Sequence, residues 1–458
     1  MDSKHADASL ISSLGHFAHH VKLATTPELV RTQGKLSILD TVGCVVSGGQ
    51  DPDARVYLEV EKKISQSRES SVFCTDIRLN PEAATRVNAF MGDIFELNDI
   101  LGGHAGISNV TAGIALAEAT GATGTELLEA VIAGIEVTTR VYTGFIARIK
   151  PFTETGMIPV GIPATFGVAA TASRLLRLTE AQTTQAVAIA GALAGWNPAE
   201  VFFGSGGSIK PMVIGAWPGS VGILAARYAA AGMSGPERIL ESKVGYYATV
   251  STGIDYNAVL DRDLWYLARP KRKMHACCAF IHSSVEAMAR LRRDRAPLAD
   301  AHEIRIAIPP QILPAVGKST LPCTVTETRF SALYCAALAA VEADVIGVEH
   351  SFRFQSYLDR ADVQDVMKRI RIVADPALPH YYQAIVTLHD KSGAETHRAV
   401  NRAPKGSPEN PMSDDEVRDK FRRLTRDKVD GDMLERYIAR MERLEDEPDT
   451  DWIASLSA

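Results

Sequence analysis

Cysteine is scarce in this chain, and the six present form no framework. Cys44, Cys74, Cys277, Cys278, Cys323 and Cys335 are scattered over 458 residues. A disulfide-stapled scaffold is therefore excluded, and reduced thiols in a cytoplasmic protein are expected. Cys277 and Cys278 are adjacent rather than spaced C-x-x-C, which argues against a zinc ribbon or a thioredoxin-type centre. Long apolar runs are lacking too, because Gly, Pro or charge interrupts each Ala-rich segment, so no membrane association is expected. The start, MDSKHADASL, is polar and carries no secretory-leader pattern. Neither sign of charge dominates: the formal net charge is −6. Nucleic acid and anionic membrane surfaces are thus not expected as partners. No internal repeat or low-complexity tract is visible. What remains is an ordinary globular composition, 46% hydrophobic and 23% charged, with enough chain to bury a large core.

Periodicity divides what is there. Residues 9–268 read as mostly helical. KLSILDTVGCVVSG carries an apolar stripe that stops at Gly48 and Gly49. Thr123 with Glu126 and Thr179 with Gln182 have capping-box spacing ahead of apolar helices. Small residues dominate these helices, which predicts close axis-to-axis packing. Residues 251–273 lack clean periodicity and read as a connector. One helix, 281–291, follows; after it EIRIAIP, IRIVA, AIVTLHD and ETHRAV alternate as strands, the last two as a hairpin. Ser413 with Glu416 opens a returning helical tail. The expected fold is mainly α: a large all-helical domain over 1–268 with a C-terminal return over 401–458, and a smaller α+β domain over 269–400.

Four stretches carry candidate chemistry. The first, FELNDILGGHAGISNVTAGIALAEA, places Glu96, Asn98, Asp99 and His104 within nine residues. Gly102 and Gly103 permit a tight loop before an Ala-rich helix. Carboxylates beside an imidazole on such a loop suit proton transfer, although a solvated loop with a helix cap has the same spacing. The second, GSGGSIK, offers the backbone N–H groups of Gly206, Gly207 and Ser208 and the charge of Lys210 to a carboxylate or phosphate. The GxxxxGK[ST] spacing of a nucleotide loop is absent. The third, KMHACCAFIH, brings Lys273, His275, Cys278 and His282 together. On a helix His275, Cys278 and His282 would share a face, but no fourth metal ligand is in view. The fourth, GMIPVGIPATFG, is a shaped loop before a helix N-terminus that could receive an anion. His16, His19 and His20 lie on an early amphipathic helix and read as surface or interface residues.

These stretches, in this order, resemble the MmgE/PrpD family, which includes 2-methylcitrate dehydratases, cis-aconitate decarboxylases and iminodisuccinate epimerases. NAFMGDIFELNDI with GGHAGISNVTAGIALAEA is similar to the family's acidic motif and following histidine. KPMVIGAWPGSVGILAARYAAAGMSGP, KMHACCAFIHSSVEAM, FSALYCAALAA and KGSPENPMSDDEV extend the likeness along almost the whole chain. The resemblance implies a homodimer with a smaller lid domain, a cleft active site, no obligatory metal and no cofactor. It places the family's acidic position on Glu96, partner acids on Asn98 and Asp99, and the loop histidine on His104. The family's lysine falls on Lys210 and its lid residues on Lys273, Cys278 and His282. Three histidines expected of the family are replaced here by Asp93, Ile158 and Val213, and a frequent threonine by Ile100.

The implied chemistry is abstraction of the proton beside a carboxylate of a small di- or tricarboxylate. Such a proton is weakly acidic, so a base and a group that stabilises enolate-like charge are both needed. His104 is the leading base, with Asp99 or Glu96 orienting it or sharing the proton. Lys210 and the N–H groups of 206–208 bind a substrate carboxylate, and His282, His275 or Lys273 supplies the opposing acid. The lost histidines favour an epimerase of the iminodisuccinate type. The alternatives are a dehydratase or decarboxylase, or a helical binding protein that has lost activity.

Overall fold

The computed structural model describes residues 9–203 and 209–456. Helices take up 57% of it and strands 8%, so the fold is mainly α as expected. The chain forms two compact units. The larger takes the chain up to Ile94, then Asn98–Pro270, then everything from Ser413 onward. The smaller takes Phe95–Leu97 and Lys271–Met412.

The main helices of the larger unit are α1 (Leu10–His20), α2 (Glu28–Gly48), α3 (Pro52–Ile64), α4 (Pro81–Asp93), α5 (Ala105–Thr120), α6 (Gly124–Ile146), α7 (Ile162–Leu175), α8 (Glu180–Leu193) and α9 (Trp217–Ala230). The expected capping boxes form at α6 and α8. At α6 the Glu126 N–H donates to Thr123 Oγ1 at 3.2 Å, and the Thr123 N–H donates to Glu126 Oε2 at 2.9 Å. The stripe that follows, Leu127, Leu128, Val131, Ile132 and Ile135, is wholly buried. Each such side chain contributes roughly 1.5–3 kcal/mol by leaving water. A buried polar triad fixes the register of three helices. Asn109 on α5 donates to Thr138 Oγ1 on α6 at 2.9 Å and accepts from Thr171 Oγ1 on α7 at 2.9 Å.

Two expectations for this unit need correction. It is not purely helical, because β1 (Ser70–Ser71) and β2 (Arg78–Leu79) form an antiparallel ribbon. Two-residue strands are too short to show a period of two. The ribbon is held from outside: Ser70 Oγ donates to Ala115 O at 2.6 Å, and the Ser71 N–H to Glu118 Oε2 at 2.7 Å. Nor are residues 251–270 a loose connector. The Arg140 guanidinium, 1% exposed, donates to Val259 O, Asp261 O and Leu264 O, and Glu136 accepts the Leu267 N–H at 2.8 Å. Buried α6 side chains thus replace the hydrogen bonds that regular structure would have supplied.

In the smaller unit α10 (Ala279–Arg293), α11 (Ala332–Val341) and α12 (Ala361–Arg369) accompany a four-stranded sheet. Its strands are β3 (Glu303–Ile308), β4 (Ile370–Ala374), β5 (Ala384–His389) and β6 (Glu395–Asn401), in the order β4-β3-β5-β6. β3 pairs parallel with β4 and antiparallel with β5, and β5–β6 is the expected hairpin. Ile304, Ile306 and Ile308 are fully buried while Arg305 points to solvent, which is the alternation read from the sequence. α11 and α12 were not foreseen as helices: α11 is apolar all round and shows no polar face. From Ser413 the chain adds α13 (Asp414–Thr425) and α14 (Gly431–Glu442) to the larger unit. There Lys420 and Asp40 of α2 form a buried ion pair at 2.7 Å.

Candidate active site

In the larger unit, the chain between α4 and α5 is forced into an unusual backbone. Gly102, Gly103 and His104 take successive φ values of 56°, 71° and 75°. Left-handed φ is uncommon outside glycine, and histidine is among the residues that tolerate it. The two glycines are required by space as well. A Cβ on Gly102 would lie 2.9 Å from Thr139 Cα, and one on Gly103 2.9 Å from Tyr142 Cε2. His104 is half-buried at the N-cap position of α5. Asp99 Oδ1 accepts the Gly106 N–H at 3.0 Å, so its carboxylate caps the first turn of α5 and favours the positive end of the helix. Asn98 is fully buried, and neither its amide oxygen nor its amide nitrogen has a hydrogen-bond partner among the described residues. A carboxamide left so costs about 1–3 kcal/mol.

Lys210 is 3% exposed and donates to Asp93 Oδ2 at 2.7 Å. Its charge is therefore matched within the unit by the last residue of α4, the residue that stands where the family resemblance led one to expect a histidine. Gly206, Gly207 and Ser208 lie outside the described residues. Beyond Lys210 the helix widens to a π turn over Met212–Ala216 before α9 begins. Such turns recur at functional sites because they re-aim side chains. Ile158 is buried and bonds through its N–H to Asn197 O at 2.8 Å. Val213 sits half-buried inside the π turn.

In the smaller unit a second set gathers. Lys273 is 1% exposed and donates to Glu96 Oε2 at 2.7 Å. Glu96, like His104, has a left-handed backbone, with φ of 53°. Its neighbour Phe95 lies under the Arg329 guanidinium at 4.7 Å and edge-on to Phe352 at 4.7 Å. His275, Cys278 and His282 do not share a helix face as expected. α10 begins only at Ala279, with Cys278 as its cap. The preceding N–H groups go elsewhere: Ala276 to Ile346 O and Cys278 to Arg329 O. The chain nevertheless folds His275 back onto His282, with ring centroids 4.8 Å apart at 89°. His282 Nε2 donates to Cys277 O at 3.2 Å. His275 Nδ1 accepts the Ile346 N–H at 3.2 Å, which places the proton of the neutral ring on Nε2, 3.5 Å from Glu286 Oε1. Burial, and then the contact with Cys335, push the Cys277 thiol well above its usual range. Cys277 is therefore a packing group rather than a nucleophile.

Sequence reasoning did not single out Arg329 and Glu286. Arg329 stands outside every quoted stretch, and Glu286, although inside KMHACCAFIHSSVEAM, is set there by no spacing that pairs it with His275. Asp93 was visible three residues before Glu96, but its pairing across 117 residues was not.

The MmgE/PrpD N-terminal domain matches residues 12–258, and the MmgE/PrpD C-terminal domain matches residues 275–446. The chain belongs to the MmgE/PrpD family. Curated relatives match nearly end to end. The cis-aconitate decarboxylase of Homo sapiens is 26% identical, covering 98% of this chain and 94% of that protein. The cis-aconitate decarboxylase-like protein oryM of Aspergillus oryzae is 24% identical, covering 98% and 97%. The cis-aconitate decarboxylase of Aspergillus terreus is 23% identical, covering 96% and 95%. In this MmgE/PrpD protein no helix among the described residues is long and apolar enough to cross a membrane.

Proposed function

We propose that this MmgE/PrpD protein is a lyase acting on a small polycarboxylate through a carbanion next to a carboxylate. The observation that carries the reading is the fully buried Asn98 amide without a partner, on the loop that also holds Asp99 and His104. A buried amide that lacks partners gains most from a polar ligand that supplies them. His104 is the base that takes the proton from carbon, and the electron pair moves into the adjoining carboxylate. Lys210 holds a second carboxylate, with Asp93 positioning its ammonium. Lys273, His275, Cys278 and His282 are the residues from which the acid for the leaving group is drawn, with Glu96 holding Lys273. The pair then forms a double bond as protonated hydroxide leaves as water. In a decarboxylation the pair comes instead from the bond to departing CO2, and the acid protonates the carbon. The likeness to proteins named cis-aconitate decarboxylase and cis-aconitate decarboxylase-like supports a lyase.

A second reading, an epimerase, is favoured by one observation. The positions where the family resemblance suggested histidines hold the apolar Ile158 and Val213 and the paired Asp93. An epimerase returns the proton on the opposite face and needs no leaving-group acid.

Proton NMR in D2O with iminodisuccinate, malate, citrate, 2-methylcitrate and cis-aconitate separates these readings. A new vinylic proton, or loss of CO2 from cis-aconitate, supports the lyase. Deuterium at an sp³ carbon with changed optical rotation and no vinylic signal overturns it in favour of the epimerase. No exchange and no thermal shift with any of the five overturns both, leaving a helical binding or scaffold protein that has lost activity as the reading.

A further inference from the structure

Away from the catalytic candidates, α1 and α8 bring two imidazoles and a carboxylate together. His16 and His20 lie one turn apart on α1, and Glu180 is the first residue of α8. His16 Nδ1 is 2.9 Å from Glu180 Oε1, and His20 Nε2 is 3.8 Å from Glu180 Oε2. One donor atom from each of the three residues lies within 4.8 Å of the others. All three side chains are well exposed, so water and ions reach them.

Two further features turn a cluster into a built site. First, His20 Nδ1 donates to His16 O at 2.9 Å. That hydrogen bond leaves the lone pair of the neutral ring on Nε2, the nitrogen that faces Glu180. Metal-binding histidines are oriented in this way, by a carbonyl holding the other ring nitrogen. Second, the helices beneath are locked together. Gly15 of α1 approaches Thr184 of α8 so closely that a Cβ there would lie 2.8 Å from Thr184 Cα. Leu10, Ile11, Leu14 and Ala18 are buried beside it. The donors therefore stand on a rigid base.

We propose that His16, His20 and Glu180 bind a divalent transition cation of the zinc class, which ties α1 to α8. The donor set of two imidazoles and one carboxylate suits a borderline cation and not calcium or magnesium. Metal–ligand bonds of about 2.0–2.1 Å in a tetrahedral site put donors about 3.3 Å apart. The donor atoms, one from each residue, already lie within 4.8 Å of one another, so side-chain rotation of the exposed groups brings them to that spacing. Entry of the ion needs only displacement of the proton shared by His16 and Glu180, with water completing the shell. The cations that act on His19 electrostatically do not compete for Glu180: Lys22 and Arg174 both contact Glu129.

The test uses zinc chloride and the full-length protein after chelator treatment. Zinc binding is measured by competition with a chromophoric chelator, and thermal midpoints are recorded with and without zinc. The wild type is expected to bind one more equivalent than the His16→Ala/His20→Ala variant, and only the wild type gains thermal stability from zinc at that equivalent. Glu180→Gln weakens the site by more than about tenfold, the size of loss seen even for outer-shell changes. Calcium gives no response. Equal zinc stoichiometry and equal thermal response in the wild type and the double variant would overturn the proposal, assigning any bound zinc to thiols or other groups. The metal-free variants are expected to melt with the metal-free wild type. If the double variant does not fold, His20→Asn, one exposed substitution, decides by the same comparison.

Discussion

Lys210 can serve the fold, the reaction or both, and one pair of substitutions separates these roles. At 2.7 Å and an effective dielectric near 20, the attraction between Lys210 and Asp93 is about 6 kcal/mol. Withdrawing both ions from water costs several kcal/mol each, so the pair is worth little net against an apolar pair of similar volume. Breaking it from one side is different, because it strands a buried charge. Lys210→Met alone and Asp93→Leu alone should each lower unfolding free energy by about 3–5 kcal/mol. The double variant should recover most of both losses, giving a coupling of about 6 kcal/mol or more, close to the sum of the two single effects. Urea unfolding followed by far-ultraviolet circular dichroism measures this. Turnover of the substrate identified by NMR is measured on the same four proteins. If Lys210 anchors a carboxylate, the double variant regains stability and remains inactive. Recovery of stability and turnover together would refute the catalytic assignment and leave the pair structural. Additive losses would refute the electrostatic reasoning itself.

Two further predictions rest on other parts of the larger unit. Gly103→Ala forces a Cβ against Tyr142 at a φ of 71°, so it should cost about 1–2 kcal/mol of stability through the backbone alone and also displace His104. Gly121→Ala imposes the same backbone strain at a φ of 61°, with open space around it, so it should lose similar stability but no turnover; equal turnover in the two variants would show that the loop does not position His104. Burial pushes the Glu136 carboxyl up to about 7, although the Leu267 N–H and Arg140 pull it back. A raised folded-state value means that its contribution to stability is complete below about pH 4.3, its unfolded value, and is lost as pH rises through 7. Glu136→Gln does not titrate, so its stability relative to wild type should rise by about 3 kcal/mol between pH 4 and pH 8. Urea melts at the two pH values check this, and a constant difference would refute it.

What the sequence displayed and what it hid divide along chain distance. The capping boxes at Thr123, Thr179 and Ser413 are contacts over three residues, and all three form. The alternation of Ile304, Ile306 and Ile308 is equally local and equally visible. Arg140 pinning residues 259–264 depends on partners more than a hundred residues away that no local pattern announces. The same distinction governs the acidic cluster. Read along the chain, Asp93, Glu96 and Asp99 look like one group of acids around His104. In space each meets a different group: Asp93 meets Lys210, Glu96 meets Lys273, and Asp99 meets the first turn of α5. A carboxylate bound to an ammonium or a helix N-terminus is stabilised as an anion, which makes it a poor proton acceptor. Under the proposed mechanism these contacts give a division of labour, in which carboxylates set charge and backbone position while the imidazole of His104 moves the proton. That division is why the activity of Asp99→Asn should depend on how well it still caps α5, not on the loss of an acid.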